Sequence, residues 1–191
     1  MTYLISTLIF AVVGTAQLNI FEIEGIFSNA HINALEGHIE EYEYTDDDLL
    51  ILQYSSQEGS AESIAELNSL LSGYDFPIGV WFGPYKISID FKQLNNFDYI
   101  GFSPGLEINN VSFDESVEKK YCTINICNFE ERKIIVSTNE GIYDNYLIVG
   151  TLGSFIENID FAISDQSIEF FKPSLFCLLY TSPSPRDATL S

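Results

Sequence analysis

The chain is short of positive charge. Its 191 residues carry 8 Lys and Arg against 28 Asp and Glu, a formal net charge of −20. Such a balance excludes a nucleic-acid partner, whose phosphates demand basic side chains, and disfavours docking on anionic lipid headgroups. Cysteine is scarce as well, with only Cys122 and Cys127 in the body of the chain. Five residues apart, they would face opposite sides of a strand, which argues against a zinc pair. A disulfide in an exported protein and two buried free thiols are both open. Histidine occurs twice. His31 and His38 share one helix face, and with no third ligand in view they read as solvated or helix-capping groups. No pattern calls for a cofactor or a metal.

The two ends read as something other than a folded domain. Leu4 to Val13 is an apolar run of signal-peptide length, and Gly14-Thr15-Ala16 offers a cleavage site before Gln17. The run is too short for an ordinary transmembrane span. Residues 1–16 are therefore expected to be a signal peptide, with a buried first strand as the alternative. At the other end, Cys177 to Asp187 back-translates in one frame to a transposon-type sequencing adapter, and the residues that follow fit its continuation. Residues 177–191 are read as an adapter-derived artefact. The natural sequence would then be cut off near Phe176.

About 160 residues lie between, enough for one domain with a core. Leu18 to Ile23 alternates as a strand does, and Gly25 closes it. Asn29 is a fair N-cap for a helix whose Ile32, Leu35, Ile39 and Tyr42 form one apolar stripe. The acidic run from Glu36 to Asp48 is most simply a solvated helix face and turn; it lacks the EF-hand pattern. Leu49-Leu50-Ile51-Leu52 is the continuous apolar run of a strand covered on both faces. Ser60 can cap a second helix, with Ile64, Leu67, Leu70 and Leu71 on one side and Gly73 at its end. Ile78 to Phe82 is a third strand. Strand and helix in alternation predict a largely parallel α/β sheet with flanking helices.

One stretch says more. Phe76-Pro77-Ile78-Gly79-Val80-Trp81-Phe82-Gly83-Pro84 is followed by Ser88, Asp98 and Ser103-Pro104-Gly105. A buried strand, a Gly-Pro turn, a helix and a short strand closed by Pro-Gly are expected in that order. Further on come Gly141-Ile142-Tyr143-Asp144 and the run from Thr151 to Asp160. In order and spacing these resemble the NfeD-like proteins, membrane-bound relatives of the ClpP and signal-peptide-peptidase serine proteases. The resemblance runs from about residue 18 to 163 and is weakest at 106–135.

That resemblance implies a ClpP/crotonase-like fold over residues 17–165. It makes residues 166–176 the start of a C-terminal membrane region, otherwise missing, that anchors the domain at the outer face of the cytoplasmic membrane. It also implies a Ser-Lys mechanism, in which a desolvated lysine takes the proton of a serine nucleophile and backbone N–H groups hold the oxyanion. Ser88 stands in the nucleophile position. Glu58, Gly59 and Ile89 stand where the oxyanion donors would be, because Ser55-Ser56-Gln57-Glu58-Gly59 replaces the family's Gly-Gly turn. The family's Ser-Ala-Gly, however, is here Ser88-Ile89-Asp90, bulky and acidic where a small neutral step is needed. The base has no clear assignment: Lys119, Lys120 and Lys133 are candidates by distance along the chain, and Lys92 by helical proximity. A degenerate protease domain kept as a binding or scaffolding module is the favoured expectation, with an active endopeptidase cleaving membrane-protein segments as the alternative. The partner would be a membrane-protein segment or membrane partner, with a homo-oligomer also open.

Overall fold

Continuous apolar runs build the centre of the sheet. In the computed structural model the described residues are 17–59, 61–89, 91–143, 146–159 and 168–171. Five strands carry the sequence's apolar segments: β1 (Leu18–Phe27), β2 (Leu49–Gly59), β3 (Ile78–Phe82), β5 (Tyr99–Phe102) and β10 (Tyr146–Ile148). They lie side by side and parallel. Two outer strands complete a seven-stranded sheet of order β11-β1-β2-β3-β5-β10-β9. Of these, β11 (Ile168–Phe171) runs parallel to β1, and β9 (Gly141–Tyr143) runs antiparallel to β10. The sheet thus reaches past residue 165, where the sequence reading ended the domain.

Alternation along the strands divides the core in two. Phe21, Ile23, Leu50, Leu52, Val80, Phe82 and Phe102 point to one face. There they meet α1 (Asn29–Tyr42) through Leu35 and Ile39, and α2 (Ala61–Leu71) through Ile64, Leu67 and Leu71. Leu18, Ile20, Leu49, Ile51 and Trp81 point to the other face and meet Phe155 and Ile159 at α4 (Leu152–Asn158). Full burial of such side chains contributes about 1.5–3 kcal/mol each, so the two apolar faces dominate the fold. Glycine makes the α4 face possible. A Cβ on Gly101 would lie 2.5 Å from the Phe155 ring and 2.9 Å from Trp81.

Against the first face packs a small sheet of order β4-β6-β8-β7. Its strands are β4 (Ile87–Ser88), β6 (Glu107–Asn109), β7 (Ile126–Asn128) and β8 (Lys133–Ile135). Ile87, Ile108 and Ile134 anchor it in the main core. The helix α3 (Glu115–Tyr121) precedes β7 and is capped by Asp114, whose carboxylate accepts from the Val117 N–H at 2.9 Å. Thr151 caps α4 in the same way.

Several local expectations are corrected. Gly25 does not close β1: the strand continues to Phe27 across a register shift between Gly25 and Ile26, with Gly25 at φ +80°, which glycine adopts without strain. Ser28, not Asn29, occupies the N-cap of α1. Ser60 lies outside the described residues, as do the proposed signal peptide at 1–16, residues 172–176 and the 177–191 tail. The cysteines do not share a strand. Cys122 caps the C-terminus of α3, Cys127 sits in β7, and the two form a disulfide. The histidines are neither solvated nor capping. His31 is buried, donating from Nε2 to the Glu24 carbonyl at 3.1 Å and packing on Phe27. His38 bonds the Tyr44 hydroxyl at 3.0 Å and stacks on Phe171 of β11 at 4.5 Å. Both fasten α1 to the strand beneath it.

Candidate functional site

β3 ends at Phe82, and the Gly83 N–H bonds back to the Tyr54 carbonyl at 2.9 Å, which turns the chain out of the main sheet. Four residues later the chain re-enters as β4 rather than as a helix. The expected helix is reduced to a single 3₁₀ turn, Phe91–Leu94. Its buried Phe91 and Leu94 are three apart, a spacing that matches three residues per turn. Only ten residues separate Ser88 from Asp98, where the chain must already be back at the main sheet. That leaves no room for a longer helix.

Strand alternation decides where Ser88 points. Ile87 and Ile89, on either side of it, are 2% and 1% exposed. Ser88 therefore faces away from the core. Its Oγ accepts a hydrogen bond of 2.6 Å from the Asn110 amide. Asn110 is itself in the left-handed region, at φ +59°, and its carbonyl is held by the Arg132 guanidinium at 3.3 Å. Arg132 also bonds the Val111 carbonyl at 3.2 Å. The serine thus belongs to a polar mesh on the outer face of the small sheet.

None of Lys86, Lys119, Lys120 or Lys133 hydrogen-bonds Ser88. Lys86, two residues before it, pairs with Glu107 at 3.0 Å. Lys133 pairs with Glu131 at 3.1 Å. Lys119 and Lys120 sit in the last turn of α3. Burial holds the Lys120 ammonium below the ordinary lysine range, and it lies 5.2 Å from the centre of the Tyr121 ring. Of these candidates Lys120 has the environment of a base without the serine. The side chain of Lys92 and the whole of Asp90 lie outside the described residues.

The oxyanion candidates are placed as follows. Glu58 and Gly59 are not in a turn; they end β2 as rungs opposite Ile26 and Phe27. β3 pairs with β2 only as far as Tyr54, so the segment from Ser55 to Gly59 runs beyond it, paired with β1. Ile89 is in the core. Asp98, in the register of the family's Asp step, proves to be a clamp. Its N–H donates to the Ile78 carbonyl at 2.8 Å and its carboxylate accepts from the Ile78 N–H at 2.9 Å, which locks the start of β3 beside β5. The backbone register that drew attention to Ser88 has this structural cause.

No family model matches the chain, and no curated protein does. Solved structures do. One is the membrane-bound stomatin-specific protease 1510-N, as a lysine-to-alanine variant in complex with a substrate peptide. It matches with a TM-score of 0.58 at 8% identity, covering 87% of this chain and 97% of that one. A serine-to-alanine variant of the same protease matches at 0.54 and 8%, covering 85% of this chain and 100% of that one. The 1510-N membrane protease specific for a stomatin homologue from Pyrococcus horikoshii matches at 0.56 and 9%, covering 87% and 97%. At such identities the likeness is one of fold. The chain shares the fold of these membrane-bound proteases, a largely parallel α/β sheet with flanking helices.

Proposed function

We propose that this chain is an exported, membrane-associated module that uses a protease fold to bind rather than to cleave. The observation that carries the reading is the setting of Ser88. Its hydroxyl is committed to Asn110 on the outer face of the small sheet, and no described lysine hydrogen-bonds it. A serine hydroxyl without a neighbouring base is a weak nucleophile at neutral pH. Glu58 and Gly59 are rungs of β2 opposite β1 rather than a turn that presents its amides to an oxyanion. Export is supported by the Cys122–Cys127 disulfide, a bond that persists in oxidising compartments. Membrane association is supported by the membrane-bound proteases that share the fold. A membrane-protein segment is the partner we assign to it, by analogy with 1510-N, which is specific for a stomatin homologue. No helix among the described residues is long and apolar enough to cross a membrane, so the anchor would lie elsewhere.

The test is direct. The purified chain should take up no fluorophosphonate probe and should not cleave apolar peptides. Labelling that disappears in Ser88→Ala would overturn the binding module and establish the alternative, an active Ser-Lys endopeptidase.

A further inference from the structure

Away from Ser88, three grooves of about 480, 340 and 400 Å³ meet at one side chain, Lys120. The largest lies between α3 and the β9–β10 edge of the main sheet. Its size is in the range of small-molecule sites. Its walls are apolar and aromatic, from Ile124, Ile142, Tyr143 and Tyr146, and its charge comes from Lys119 and Lys120. Among the described residues no Asp or Glu lines it. In a chain with 28 acidic and 8 basic residues, a groove whose described charged lining is two ammonium groups, with Glu115 and Glu118 of the same helix left out of it, reverses the overall balance.

The other cations whose side chains are described are occupied. Lys86 and Lys133 are in ion pairs, and Arg132 is spent on the carbonyls of Asn110 and Val111. Asp98 and Asp114 reach the neighbouring grooves, but each carboxylate accepts from a backbone N–H, of Ile78 and Val117. Lys120 has an aromatic face beneath it and no described carboxylate as partner. We infer that this groove binds a single carboxylate carried on an aromatic or branched apolar body, with Lys120 as the charge partner and Ile142, Tyr143 and Tyr146 as the wall. The chemistry is shared by a free organic acid and by the last residue of a peptide chain. A second negative charge on the ligand would be opposed by the field of a protein at −20. The inference is independent of what Ser88 does.

Titration of the full chain with N-acetyl-phenylalanine, followed by calorimetry or by amide NMR shifts, tests it. Binding is expected, with affinity falling about tenfold or more for the uncharged N-acetyl-phenylalanine amide. Lys120→Met should lose a comparable factor while keeping the wild-type circular dichroism, and Lys120→Arg should bind. A tetrapeptide ending in Phe with a free carboxylate separates the two sources: tighter binding than the single residue assigns the groove to a peptide C-terminus, equal binding to a small free acid. The inference is overturned if neither carboxylate binds, if the amide binds equally well, or if Lys120→Met binds as the wild type does.

Discussion

At the residue scale, His31 has the most definite consequence. Burial lowers its pKa from the ordinary value of 6.5, and only the hydrogen bond to the Glu24 carbonyl works against that. The unfolded chain then binds a proton that the folded chain refuses, over the window from 6.5 down to the folded pKa. Stability must fall as pH drops through that window. A protonated imidazole would also sit in the first turn of α1, against the helix dipole. His31→Gln keeps a donor for Glu24 without the titration. Urea midpoints should show the wild type losing stability relative to this variant as pH falls below about 6.5; parallel curves would rule the effect out. The sequence showed that His31 and His38 share a helix face. It could not show that the face is turned inward, because that depends on Glu24 and Phe171, which lie on other elements.

Elements were legible in proportion to their length and apolar continuity. β1, β2, β3 and the stripes of α1 and α2 follow from period alone, since four or more apolar positions in register leave little choice of face. The small sheet was not legible. Its strands β6, β7 and β8 have three residues each, too few to display alternation, and they fill the stretch from 106 to 135 where the resemblance to the protease family gave nothing. The disulfide stayed open for the same reason: Cys122 ends a helix instead of sharing a strand with Cys127, which changes the geometry that a strand would impose. The Lys120 groove gathers residues from α3 and β9–β10, and no local pattern joins them. The seat of α4, by contrast, can be tested at one position. Gly101→Ala would put a methyl group against Phe155, which is fully buried and has nowhere to go. Overpacking of this kind costs about 1–3 kcal/mol. The urea midpoint should fall accordingly, and Phe155→Leu in the same chain should return part of the loss. An unchanged midpoint for Gly101→Ala would mean that α4 is loosely held.

For the whole molecule, charge and connectivity set the behaviour. At −20 the folded chain repels itself. Raising sodium chloride from about 20 mM to about 0.5 M shortens the screening length from roughly 20 Å to 4 Å, so the thermal midpoint should rise. A fall would show that ion pairs such as Lys86–Glu107 outweigh the repulsion. Connectivity adds a matter of timing. β1 is made early and pairs on one side with β2, but its other edge waits for β11, the last strand of the sheet. From Phe27 to Ile168 a ribosome working at about 5–20 residues per second needs on the order of ten to thirty seconds. Through that interval the nascent chain carries Leu18–Phe21, the part of β1 that β11 will cover, with that mostly apolar edge uncovered. A chain released before Ile168 would keep that edge for good, and so would be a template for pairing with its own siblings.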